Sequence, residues 1–200
     1  MEYNFSNRTI TLPDSWDDIT FNQYLEYIKL VVMTDKIDLN NLQDQLKVFK
    51  LVEIFANLTE EELDDLLVSE FDQLAAPLAE MIKNQVKFTN IPKHFEIDGV
   101  NYVVRDLTEI KKISNGEYIS IQSLKDMGLT QTDFILKAVA ILVRPGKLVI
   151  DEETKEEKWV IDKFQRRDLD NLNWRANLFK EKGKAKDLVP VLDFFLTMKD

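Results

Sequence analysis

The stretch His94-Phe-Glu-Ile-Asp-Gly-Val-Asn-Tyr-Val-Val104 reads as a β-hairpin set between long runs that read as helix. Apolar and polar residues alternate on both sides of Asp98-Gly99, the period of a half-buried strand. Asp-Gly suits the positive φ angles of a type I′ turn. Phe95 and Ile97 are expected to be buried from one strand, with some of Val100, Tyr102 and Val104 from the other.

Working back from the hairpin, helix signals dominate. Ser69 opens a helix reaching about Lys87, with Phe71, Leu74, Leu78, Ile82 and Val86 as its stripe and a break or kink expected at Pro77. Thr59-Glu-Glu-Glu62 is a capping box opening a short acidic helix to about Val68. Leu42 to Ala56 reads as a helix with Leu42, Leu46, Phe49, Val52 or Glu53, and Phe55 along its faces. Thr34 to Asn41 reads as a polar turn. Thr20-Phe-Asn-Gln23 is a second capping box, and its helix is expected to bury Phe21, Tyr24, Leu25, Ile28 and Val31/Val32. Before Pro13-Asp-Ser-Trp16, Tyr3, Phe5, Ile10 and Leu12 alternate with polar residues as in a strand or hairpin.

Beyond the hairpin, Asn115-Gly116 reads as punctuation before a helix over 117–124. Thr130 or Thr132 caps a strongly apolar helix through Phe134, Ala138 and Leu142, with Arg144-Pro145-Gly146 as its terminator. Leu148-Val-Ile150 and Trp159-Val-Ile161 flank the charged loop Asp151 to Lys158 as a second hairpin with a solvent-exposed tip. Helices are expected from Phe164 to about Lys180 and from about Asp187, the last anchored by Val189, Leu192, Phe195 and Leu196. The class is therefore α+β, predominantly helical, with two antiparallel hairpins and an N-terminal strand. The expected organisation is an N-terminal strand and helical region over 1–90, continuous in its core with a hairpin-helix-hairpin-helix region over 91–200.

Composition narrows function more by exclusion than by motif. The 200 residues carry a formal charge of −10, which opposes a phosphate backbone and argues against nucleic acid as a partner. The absence of cysteine removes disulfides, thiolate nucleophiles and thiolate metal sites. Met1-Glu-Tyr-Asn-Phe-Ser6 lacks a basic start followed by an apolar core, and no apolar run is long enough to span a bilayer, so a cytoplasmic, membrane-free chain is expected.

No constellation for chemistry emerges. His94, the single histidine, stands beside Pro92 at a strand entrance and reads as structural. The acidic runs at 60–65 and 151–157 read as solvated faces and lack the ligand-and-glycine pattern of a calcium loop. The five glycines never cluster as a phosphate loop does. Arg166-Arg167 and Lys180 to Lys186 are the concentrated positive charges, and a solvated helix end accounts for the second. Catalytic, cofactor and metal residues are accordingly expected to be none. Surface contact is expected at Trp16, Asp151, Glu152, Glu153, Lys155, Trp159 and Trp174, the tryptophans because indoles are enriched at interface hot spots.

Four segments taken in order carry a resemblance: Pro13-Asp-Ser-Trp16 with Ile19-Thr20 and Gln23-Tyr24; Phe95 to Tyr102; Asn115-Gly-Glu-Tyr-Ile119; and Ala138-Val-Ala-Ile-Leu-Val-Arg-Pro145. Together they resemble structural and assembly proteins of tailed bacteriophages that infect Bacteroidetes, the crAss-like type, over about residues 10 to 195. The resemblance implies a non-enzymatic virion protein without cofactors, a neck or tail ring component repeated around the particle axis. Its implied partners are other phage structural proteins and copies of itself, assembled in the host cytoplasm. A tail-assembly chaperone or a packaged cargo protein is the alternative it leaves open.

Overall fold

Three helices begin where a threonine stands three residues before Gln, Glu or Asp. A computed structural model describes residues 1–5, 8–31, 42–84, 87–106, 113–153, 155–165 and 168–197, by backbone alone at 31, 42–45 and 194–197. In it Thr20 N–H donates to Gln23 Oε1 at 2.8 Å while Gln23 N–H donates to Thr20 Oγ1 at 3.1 Å. Thr59 and Glu62 repeat the exchange, and Thr130 Oγ1 accepts from Asp133 N–H. Each pair satisfies amides that a helix start leaves orphaned. The architecture is α+β, in two compact units, Met1–Lys87 and Phe88–Asp200.

The first unit opens with an antiparallel hairpin, β1 (Glu2–Asn4) with β2 (Thr9–Thr11), Glu2 opposite Thr11. Four helices follow: α1 (Phe21–Val31), α2 (Leu42–Ala56), α3 (Glu60–Asp64) and α4 (Val68–Lys83). Gln23 does more than cap α1, because its Nε2 donates to the Ile54 and Phe55 carbonyls at 3.1 and 3.2 Å, in the last turn of α2. Asn57, at φ 54°, then closes α2 in a left-handed turn.

The core face of α2 is Leu51, Val52 and Phe55. Leu46 and Phe49, expected along its faces, are 59% and 39% exposed. The acidic helix expected to run to about Val68 stops at Asp64, and α4 starts afresh at Val68 with the Leu67 N–H held by the Glu70 carboxylate at 3.0 Å. The break expected at Pro77 does not interrupt α4. Leu74 and Leu78, on either side, are fully buried, and their burial offsets the lost amide bond. Val32, Val86 and the polar turn at 34–41 lie outside the described residues.

The second unit is built on a four-stranded antiparallel sheet in the order β3 (His94–Ile97), β4 (Val100–Val104), β5 (Val143–Ile150), β6 (Glu157–Ile161). Asp98 and Gly99 take φ of 51° and 77°, the left-handed pair that a type I′ turn requires. Helices α5 (Asn115–Lys125), α6 (Gln131–Leu142), α7 (Leu169–Lys182) and α8 (Ala185–Thr197) complete it. Asn115-Gly116, read from sequence as punctuation, forms the first turn of α5, because Ser114 and Glu117 close a capping box around it. The helix expected from Phe164 begins at Leu169, capped by Asp168. Val189 and Leu192 of α8 are buried as expected; the side chains of Phe195 and Leu196 lie outside the description.

The end of α6 differs from its sequence reading in a way that shapes everything downstream. Arg144-Pro145-Gly146 does not terminate the helix: α6 stops at Leu142, and the chain passes straight into β5. Val143 is wholly buried and pairs with Val104, so sheet pairing takes the backbone before the proline and glycine are reached. Gly146 instead lies in a tight crossing. A Cβ there would approach Val103 Cγ2 and the Val160 carbonyl oxygen to 2.5 Å. Gly146→Ala should therefore destabilise the second unit by about 1–3 kcal/mol, the usual cost of overpacking, measurable as a shift in urea midpoint at unchanged slope.

Candidate functional site

Two features of the second unit have the chemistry or the exposure that function requires: a two-stranded arm and a cavity holding buried arginines. The arm exists because β4 pairs only with Val143–Pro145, leaving β5 from Gly146 to Ile150 paired with β6 alone. Register then sorts its side chains, since opposed residues share a face. Leu148 lies opposite Trp159 and Gly146 opposite Ile161, so one face collects Leu148, Ile150, Trp159 and Ile161. The other sets Val149 and Val160 beside Lys158 and Lys147. Leu148 is 44% exposed, Ile150 60% and Val160 42%, so apolar side chains show on both faces of the strand pair.

The arm's tip carries most of the residues expected at an interface. Asp151, Glu152, Glu153 and Lys155 are all exposed there. The turn is held by its backbone: Lys155 N–H donates to the Asp151 carbonyl at 2.8 Å, and Lys155 takes φ 59°. Trp159 is half-buried, stacked on His94 with ring centroids 3.9 Å apart. His94 itself is exposed. Trp174, on α7, is 55% exposed.

Trp16 is the correction in this set. It is 3% exposed, its indole N–H donates to the Met81 carbonyl at 2.7 Å, and Tyr27 and Phe55 meet it edge-on. It is a core anchor of the first unit and offers no contact surface. A position at an element boundary says nothing of how deeply the segment is packed. The two other tryptophans and the tip residues all fall in the second unit, Trp159 and the tip on the arm and Trp174 on α7.

The cavity was not legible in the sequence. It has a volume of about 340 Å³ and lies among α5, α6, the start of β5, residues 162–165 and the first turns of α7. Arg144 and Arg175, exposed by only 4% and 5%, line it, and behind Arg144 lies its buried partner Glu117, 1% exposed. Glu117 takes two roles through one carboxylate. Its Oε2 accepts the Ser114 N–H at 2.7 Å, capping α5, while its Oε1 lies 2.6 Å from Arg144 Nη1. Arg105 Nε stands 3.5 Å from Oε2. Burial pushes the Glu117 carboxyl up, yet the Ser114 hydrogen bonds and the Arg144 charge outweigh it and hold the group below its ordinary value.

Arg144 is held on all sides. Its Nε donates to the Asp162 carbonyl at 2.9 Å, Nη1 bonds the Ile141 carbonyl, and its guanidinium lies 5.5 Å from the Phe164 ring centroid. Arg175 reaches back from α7 to the Ala140 carbonyl at 2.8 Å and to Asn171 Oδ1 at 3.3 Å. Both of these acceptors are neutral. Burial, then the nearby Arg144 charge, pull its pKa down to about 10.

No protein-family model, curated protein or solved structure matches this chain. The residues themselves therefore carry the functional argument. Among the described residues, no group of three His, Asp or Glu could hold a metal ion, and no helix is long and apolar enough to cross a membrane. Arg166 and Arg167, singled out for their charge, lie outside the described residues.

Charge divides along the same line as the fold. Residues 1–87 hold seventeen Asp and Glu against seven Lys and Arg, while residues 88–200 hold nineteen of each. The whole net charge of −10 thus belongs to the first unit. That unit also shows an apolar patch where Phe49 of α2 stacks on Phe71 of α4 at 4.3 Å, near the exposed Leu46.

Proposed function

We propose that this chain is a non-enzymatic structural protein of a tailed bacteriophage of the crAss-like type, a neck or tail ring component repeated around the particle axis. The observation that carries the reading is the β5–β6 arm, a strand pair with apolar residues exposed on both faces. Exposed apolar strands invite pairing and aggregation unless a partner covers them. A ring of identical copies uses two different surfaces on each protomer. The neutral, arm-bearing second unit and the strongly acidic first unit supply two such surfaces. The sequence resemblance over residues 10 to 195 supplies the particle.

Mass spectrometry of purified virions tests this directly. The protein is expected in every particle at a copy number compatible with a ring, and cryo-electron microscopy is expected to find the arm buried against a neighbour. Absence from finished virions would sink the structural reading. Co-purification with a head or tail protein during infection, combined with that absence, would identify an assembly chaperone instead.

A further inference from the structure

We propose that the cavity between α5 and α7 is a binding site for a small organic oxyanion, a carboxylate or phosphate head on an apolar body, with Arg175 as its principal ligand. This inference concerns a surface other than the arm and stands whether or not the chain belongs to a ring.

The argument begins with charge. One buried carboxylate, Glu117, is shared by Arg144 and Arg105. Arg175 meets no carboxylate within ion-pair distance among the described residues, and its two hydrogen bonds are to a carbonyl and an amide oxygen. A guanidinium removed from water without a counter-charge is costly, and it retains donors of the planar fork that grips carboxylate and phosphate. Arg144 adds a second positive charge to the same wall. Ser120 lines the cavity too, and among the described residues its buried Oγ has no hydrogen-bond partner.

The two carboxylates on the lining offset this charge only from a distance. Asp168, the N-cap of α7 accepting the Asn171 N–H at 3.0 Å, favours the charged Arg175 without pairing with it. Asp162 is exposed, and it is its main-chain oxygen that Arg144 holds. The remaining wall is mixed: Lys163, Gln165 and Ser123 are polar, while Leu124, Phe164 and Leu172 are apolar and deeper, and Met127 and Leu169 are each 56% exposed. Exposed apolar side chains around a charged interior suit a ligand with a charged head and an apolar body, and the volume falls in the range of small-molecule sites.

Thermal denaturation with succinate, inorganic phosphate or phenyl phosphate, against potassium chloride at matched ionic strength, tests the proposal. A saturable rise in melting temperature is expected, roughly 5 °C or more at a hundredfold excess over Kd, larger with phenyl phosphate than with phosphate, and absent in Arg175→Met. No rise, an equal rise with chloride, or an unchanged rise in Arg175→Met would overturn it. Should the variant fail to fold, nitrogen-15 NMR of the wild-type chain decides. The Arg175 Nε–H resonance must move on titration with phenyl phosphate; movement confined to the Lys180 to Lys186 segment would refute the site.

Discussion

Glu117→Leu is expected to lower the stability of the second unit by about 3–5 kcal/mol, the effect of breaking a buried ion pair from one side. The loss has three parts. Arg144 keeps its buried charge without its carboxylate at 2.6 Å, Arg105 loses its only close counter-charge among the described residues, and Ser114 N–H loses its acceptor at the start of α5. Adding Arg144→Met should recover a large part of the loss, because removing both charges avoids leaving either alone. The recovery stays incomplete, since the Ile141 and Asp162 carbonyls lose their donor. Urea denaturation of the two single variants and the double variant measures the coupling. A Glu117→Leu protein within about 1 kcal/mol of wild type would show that the pair contributes nothing net.

The same pair sets an acid limit. Glu117 has a folded pKa below its ordinary 4.5, so the unfolded chain takes up its proton first as pH falls. The stabilisation is fully present above pH 4.5 and is lost progressively as pH falls through the lower folded value. Wild type should lose stability more steeply than Glu117→Leu over that acid window, and the two curves should run parallel above it.

Trp16→Ala is expected to cost the first unit about 3–5 kcal/mol, as large-to-small changes of buried aromatics do. The indole fills the space between Tyr27 and Phe55, with ring centroids 5.1 and 6.2 Å away in edge-on geometry, and such pairs add to what area alone provides. Its N–H also satisfies the Met81 carbonyl near the end of α4. Trp16→Phe should cost less, about 1–3 kcal/mol, chiefly for the carbonyl left without its donor. Equal losses for the two variants, followed by circular dichroism in urea, would show that the hydrogen bond dominates over the packing.

Local signals proved dependable wherever a residue acts on its own backbone. The Thr20, Thr59 and Thr130 caps, the Asp98-Gly99 turn and the two alternating hairpins are all local decisions, fixed within a few residues by hydrogen bonds or by φ. Long-range competition defeated the other readings. Arg144-Pro145-Gly146 has the residues of a helix terminator, yet Val143 gains more by pairing with Val104 than α6 gains from another turn. Trp16 has the sequence position of a boundary residue and the burial of a core one.

For the candidate sites the division is sharper. The arm was legible because alternation and a charged loop announce a hairpin, although which of its residues stay uncovered depends on how far β4 extends beside β5. The cavity was not legible at all. Glu117 reads as a polar residue of a helix start, Arg144 as the end of an apolar run and Arg175 as one charge on a mixed helix. Sequence alone settled the α+β class, the antiparallel pairing and most helix starts, since these follow from periodicity, capping and turn chemistry. Only the tertiary structure placed one carboxylate between Arg105 and Arg144, because buried charge is a property of chain segments distant in sequence and close in space.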